Sequence, residues 1–145
     1  MPSSSHQALL LWIIRKMASD GFVLAGCDGC VPQGGLWKSL PRPSQFSGLR
    51  PDACGTMPAT GEFAIGEAKS AADLDNAHTR RQLYVFGHLR TDPGDIACRL
   101  YIAIPRSAAP ALDRLLARVG LLGAKHVVRL HIPDCFVGEV RDACA

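Results

Sequence analysis

An α/β fold, a mixed sheet flanked by helices, is what this sequence predicts. Apolar residues recur at helical spacing near 4–20, 73–89 and 107–119. Short apolar or alternating runs bounded by turn residues fall between them. The resulting order is helix, three strands, helix, strand, helix, strand, and strand–helix–strand successions close with right-handed crossovers. The 145 residues are read as one domain, 1–145, large enough for a real core.

The first helix runs from about Ser4 to Asp20 around the apolar stretch Ala8–Ile14, and reads as buried on most sides. It ends near Gly21, and Phe22–Ala25 reads as a short strand. From about 26 to 48 the chain is a Gly/Pro-rich excursion with Leu36 and Trp37 as apolar anchors. Loops of that length are usually functional or mobile, so it could cover a site or hold a partner. Leu49-Arg50-Pro51-Asp52 then leads through the turn Pro58–Gly61 into Phe63-Ala64-Ile65-Gly66-Glu67-Ala68-Lys69. A hairpin centred on that turn sets Thr56 opposite Phe63, Cys54 opposite Ile65 and Asp52 opposite Glu67. Side chains alternate along a strand, so Phe63, Ile65, Glu67 and Lys69 share one face. Ala64, Gly66 and Ala68 make the other face small enough for a helix to approach closely.

A helix follows from Asp73 to about Leu89, with Asp73 or Asp75 as its cap. His78, Gln82, Val85, Phe86 and Leu89 fall on one face, and Arg80 and Arg81 off it. Thr91–Asp95 is a turn, and Ala97–Ile104 is a nearly continuous apolar run, as an interior strand shows. Pro105 ends it. Ser107 starts a helix with Leu112, Leu115, Leu116 and Val119 on one face, closed by Gly120. Val127–Ile132 is the last strand, and Pro133 onward reads as a tail.

The chemistry is concentrated in Asp52, Glu67 and Lys69. Directly paired residues place their Cβ atoms roughly 4.5–5.5 Å apart. Two carboxylates that close stay ionised together only around a cation; otherwise one pKa rises. Mg²⁺ or Mn²⁺ suits oxygen ligands and leaves positions for water and phosphate. Lys69 could then touch the attacking water or the phosphate oxygen on which charge grows. Gln82 is carried inward by its apolar neighbours and needs polar partners, because an orphaned amide costs about 1–3 kcal/mol. A surface hairpin with a Glu67–Lys69 ion pair is the plainer account of the same residues. The apolar lead-in Phe63–Gly66 weakens it.

Pro51-Asp52 with Glu67-Ala68-Lys69 resembles the signature of the PD-(D/E)xK nuclease superfamily, and the likeness extends in element order from the first helix to the last strand. It implies an αβββαβ restriction-endonuclease-like core. By that resemblance Asp52, Glu67 and the Ala68 carbonyl hold Mg²⁺ (or Mn²⁺), Lys69 activates water, and Gln82 orients water or phosphate. The reaction implied is hydrolysis of phosphodiester bonds, in DNA foremost, by a homodimer in those members that cut both strands. Gln82 followed by Phe86 is similar to the helix that follows the Glu-x-Lys strand in many members, with Phe86 where a Tyr often stands. His78, Arg80 and Arg81, with Arg50 beside Asp52, are the candidate phosphate contacts. The family often carries an acid on the first helix. Here none precedes Asp20, Gln7 could stand in, and a single-metal site remains workable. A catalytically inactive DNA-binding or assembly module is the alternative.

The formal charge of +3 permits nucleic-acid binding without arguing strongly for it. No apolar run reaches the roughly 18 residues a bilayer span needs, and Leu9–Ile14 is followed rather than preceded by Arg15 and Lys16, unlike a signal peptide. No membrane partner is expected. Among six cysteines, Cys27 and Cys30 have metal-ligand spacing but no second such pair, so zinc or redox chemistry there is a minor reading. Cys54 and Cys98 read as small buried hydrophobes. Reduced thiols in the cytoplasm are the expectation.

Overall fold

The computed structural model describes residues 3–28, 30–33, 36–91 and 94–137, with only the backbone of 30–33 and 36–39. Helix α1 spans Ser4–Ser19. Ser3 caps it, its side chain accepting from the His6 N–H at 3.1 Å. Leu9, Leu10, Ile13, Ile14 and Met17 form one buried stripe, while Trp12 and Arg15 face out. The helix is therefore buried along one side, not on most sides. Gly21 then turns the chain with φ +99°, a left-handed conformation that favours glycine.

Strands β1 (Val23–Cys27), β4 (Ala53–Thr56), β5 (Phe63–Ala68), β8 (Arg99–Pro105) and β9 (Val127–Ile132) build the sheet, in the order β1-β4-β5-β8-β9. The first three run antiparallel in turn; β5, β8 and β9 are parallel. The excursion contains a separate hairpin, β2 (Cys30–Gln33) with β3 (Leu36–Ser39). A third small pair, β6 (Arg90–Thr91) with β7 (Ile96–Ala97), brackets the turn before β8. The hairpin register is the one expected, with Thr56 opposite Phe63 and Cys54 opposite Ile65.

Helix α2 (Ala77–Gly87) connects β5 to β8, and α3 (Ala109–Arg118) connects β8 to β9. Both pack on one face of the sheet, around Ile65, Leu100, Ile102 and Ile104. Helix α1 covers the other face, over Ala64, Ala68, Tyr101 and Ala103. The fold is thus α/β, with a five-stranded mixed sheet between helices. Residues 133–137, directly after β9, pack onto the fold. Val137 is buried in the α1 layer, and Phe136 lies 6.5 Å from the Trp12 ring. Asp134 Oδ1 accepts from the Ser107 N–H at 3.0 Å.

Close approach of α1 depends on the small face of β5. A Cβ on Gly66 would stand 2.6 Å from Ile13 Cγ2. That methyl sits on a β-branched carbon and has no rotamer freedom with which to retreat. Gly66→Ala is therefore expected to destabilise the fold by about 1–3 kcal/mol, read from urea denaturation. A loss within error of zero would show that α1 is not seated as described.

Candidate active site

Pairing beyond the end of β4 fixes Asp52. Its N–H donates to the Gly66 carbonyl at 3.1 Å, and its carbonyl accepts from the Asp28 N–H at 2.8 Å. The residue is thus held between β1 and β5 at the edge of the sheet where β5 ends. Its Oδ2 accepts from the Ala68 N–H at 2.9 Å and lies 3.2 Å from His6 Nε2. Both contacts use one oxygen and leave Oδ1 to a ligand.

Glu67 is 1% exposed. The β4–β5 register runs on to set it beside Asp52, as expected. Neither of its carboxylate oxygens has a hydrogen-bond partner. Lys69 Nζ stands 3.4 Å from Oε2, an ion-pair approach without hydrogen-bond geometry. Burial, and then the neighbouring charge of Asp52, push the Glu67 pKa up to about 8, against a smaller pull from Lys69.

Lys69 continues the parallel pairing one residue past β5, its N–H donating to the Ala103 carbonyl at 3.0 Å. That keeps it on the face of Glu67. Its ammonium donates to Gln82 Oε1 at 2.5 Å. Gln82, buried on α2, therefore finds the partner its inward position demanded, and it is the lysine. The helix that carries it is shorter than expected. Ala71–Leu74 forms a 3₁₀ turn, and α2 starts at Ala77 with Asn76 as its cap, accepting from the Thr79 N–H at 2.8 Å. Asp73 and Asp75 are not the cap. Asp73 instead offers its carbonyl to the Thr79 hydroxyl at 2.6 Å.

The buried face of α2 lies about one residue away from the expected one. Thr79, Gln82, Leu83 and Phe86 are buried, and His78 is exposed. Leu83 is the stronger hydrophobe and rotates the helix toward itself, carrying His78 away from the carboxylates. Arg50 is exposed. Arg81 donates to the Ser47 carbonyl at 3.1 Å, and Arg80 lines a separate cleft. Among the described residues none of the four expected phosphate contacts is bonded to the carboxylates. Gln7 does not stand in for the missing acid of the first helix; its Nε2 donates to the Asp28 carbonyl at 3.4 Å.

His6 is the first-helix residue that reaches Asp52, a contact that residue type alone does not reveal. Its Nε2 reaches Asp52, while Nδ1 is buried without a partner. Hydrogen bonding to Asp52 raises its pKa despite partial burial, and the charges of Asp52 and Asp28 add to the effect. The available signal was helical spacing, which sets His6 in line with Leu9, Leu10 and Ile13 on the buried stripe. Cys27, Cys54 and Cys98 are buried; the side chain of Cys30, like those of Trp37 and Lys38, lies outside the described residues.

Among the described residues no group of three or more His, Cys, Asp and Glu side chains is arranged to hold a metal ion. The donors that do fit a hard divalent cation are the unpartnered oxygens of Glu67, Oδ1 of Asp52 and the Ala68 backbone. Among the described residues no helix is long and apolar enough to cross a membrane. No family model, no curated protein and no solved structure matches the chain.

The Glu67 carboxyl binds its proton more tightly folded than unfolded. From its ordinary value of 4.5 up to about 8 the folded state therefore holds the extra proton, and stability falls as pH rises through that window. The slope from this group is at most about 1.4 kcal/mol per pH unit. The raised His6 pKa adds a loss of the same sign as pH rises above 6.5. In metal-free buffer, Glu67→Gln should flatten most of the fall between about pH 5.5 and 8, measured by urea denaturation. An unchanged slope would mean that the carboxyl is not buried as its neutral form.

Proposed function

We propose that this chain is a metal-dependent nuclease of the PD-(D/E)xK kind, hydrolysing phosphodiester bonds and acting on DNA. The observation that carries the reading is the convergence of Asp52, Glu67, Lys69 and Gln82 at the end of β5, with both Glu67 oxygens buried and without a hydrogen bond. The element order and the strand order β1-β4-β5-β8-β9 also support a restriction-endonuclease-like core. Mg²⁺ or Mn²⁺ held by Asp52, Glu67 and the Ala68 carbonyl would supply Lewis acidity and a water of lowered pKa.

The chain's own groups set the rest. Asp52 is oriented by the Ala68 N–H and His6. Glu67 cannot turn out to water, so its charge is favoured only when positive charge beyond that of Lys69 arrives beside it. Lys69, held between Gln82 and Glu67, presents its ammonium where charge develops on the phosphoryl oxygens. Gln82 spends its oxygen on Lys69, which leaves its N–H₂ donors for water or phosphate.

One observation favours a second reading, a nuclease-like DNA-binding or assembly module without catalysis. Lys69 with Gln82, and Asp52 with Ala68 and His6, already satisfy one another. Metal binding separates the two. Mn²⁺ in excess should raise the Tm of the native chain by mass action and of Lys69→Ala, but not of Asp52→Asn. Cleavage of linear, nicked and branched DNA in Mg²⁺ should fall at least about 100-fold in both Lys69→Ala and Asp52→Asn. Cutting that survives either substitution removes the hydrolytic reading, and a native chain indifferent to Mn²⁺ favours the inactive module.

A further inference from the structure

Outside the carboxylate site, α3 and the segment before α2 enclose a cleft of about 500 Å³. Its floor includes Leu74 and Leu115, both buried, and its walls include Arg80, Arg114 and Arg118. Asp75 is the one acid that lines it. The charges there do not balance, and the remaining acids do not correct this. Asp113, next to Arg114 on α3, is spent on Arg129 at 2.6 Å.

Four arginines are occupied within the chain, while Arg15, Arg42, Arg50 and Arg106, like the three of the cleft, hold no carbonyl or carboxylate among the described residues; what sets the three apart is that they line one concavity. Arg81, Arg90, Arg99 and Arg129 each hold a carbonyl or carboxylate of this chain. Among the described residues Arg80, Arg114 and Arg118 make no such bond. The last turn of α3 accounts for Arg118 by itself, because cations suit the negative end of a helix. It does not account for Arg114 one turn earlier, where like charges four residues apart oppose each other. Nor does it account for Arg80, which comes into the same concavity from a different helix. Guanidinium groups of this number around an apolar floor call for an anion from outside.

We infer that this cleft binds a nucleoside phosphate, the guanidinium rim taking the phosphate and the apolar floor taking the base. Its volume lies in the range of small-ligand sites, roughly 300–1,000 Å³. Guanidinium matches phosphate with paired N–H donors and stacks on flat rings. The aliphatic floor accepts one side of a base, which a bare anion site would not need. The nucleotide is either free or the unit of a single strand, and the recognition is the same in both. The cleft is a separate site from the carboxylates, and the inference holds whether or not those carboxylates cut.

The test is equilibrium binding in EDTA at low salt, so that hydrolysis plays no part. The probes are deoxyadenosine 5′-monophosphate by calorimetry and a short labelled single-stranded oligodeoxynucleotide by anisotropy. Arg114→Ala and Arg118→Ala replace exposed helix residues with the best helix former, and circular dichroism checks that they fold. Each should weaken whichever probe binds by about tenfold, and the salt slope for the strand should drop by about 0.7 for each phosphate no longer neutralised. Lys125→Ala removes the same charge elsewhere on the surface and should change little. Binding of the mononucleotide assigns the free ligand, and binding of the strand alone assigns the polymer; either upholds the site when Arg114→Ala and Arg118→Ala weaken it, and binding that both variants leave intact overturns it. No binding of either probe overturns the inference. So does an equal loss in Lys125→Ala, or displacement by inorganic phosphate as effective as by the nucleotide.

Discussion

The carboxylate of Glu67 has nowhere to go, and that constraint organises the end of the sheet. β5 is paired on both sides, with β4 and with β8, and is covered by helices on both faces. A glutamate near the end of such a strand cannot reach water with its short side chain. Its charged form is costly, several kcal/mol for an uncompensated ion, and its neutral form still lacks hydrogen bonds. The neighbouring groups make sense as responses to that. Lys69 approaches from the same face, Gln82 holds the ammonium in place, and Asp52 is tied back to the Ala68 N–H.

These groups come from both layers of the fold. Gln82 descends from α2 on one face, and His6 rises from the first turn of α1 on the other. They meet at the sheet's end because the backbone at Asp52 and at Lys69 each continues pairing one residue past its strand. The positions of α1 and of the site are therefore coupled. Ile13 rests on Gly66, next in sequence to Glu67, and the Ser3 cap sets the first turn in which His6 stands. A helix displaced by one methyl group would move His6 relative to Asp52 as well as loosening the core.

Charge on the surface divides along a similar line. Most partnered arginines tie loops and strands together, as Arg99 does with Glu62 across β8 and the β4–β5 turn. Arg99 also lies over the Phe22 ring at 5.1 Å. Those contacts are structural and explain why a mild net charge of +3 says little by itself. What distinguishes Arg80, Arg114 and Arg118 is that they lack an internal acceptor and line the same cleft. That separates Arg80 from Arg81, though the two are neighbours in sequence.

Local periodicity and turn chemistry were enough, from sequence, for α1, the last strand Val127–Ile132, the β4–β5 register and the placement of Asp52, Glu67 and Lys69 at one end of a hairpin. Those features depend on side-chain alternation and on residues close in the chain. The inward turn of Gln82 was legible for the same reason, since Phe86 one turn later must be buried. The phase of α2 was not: Leu83 and the Asn76 cap rotate it, so Thr79 and not His78 faces in. Nor was the burial of Val137 in the α1 layer, or the contact of Phe136 with the Trp12 ring. His6 reaching Asp52, Arg80 joining Arg114 and Arg118, and the burial of Glu67 are set by elements far apart in sequence. No local spacing encodes them, because they are decided by how two helical layers close on a sheet, and only the packed structure brings those layers together.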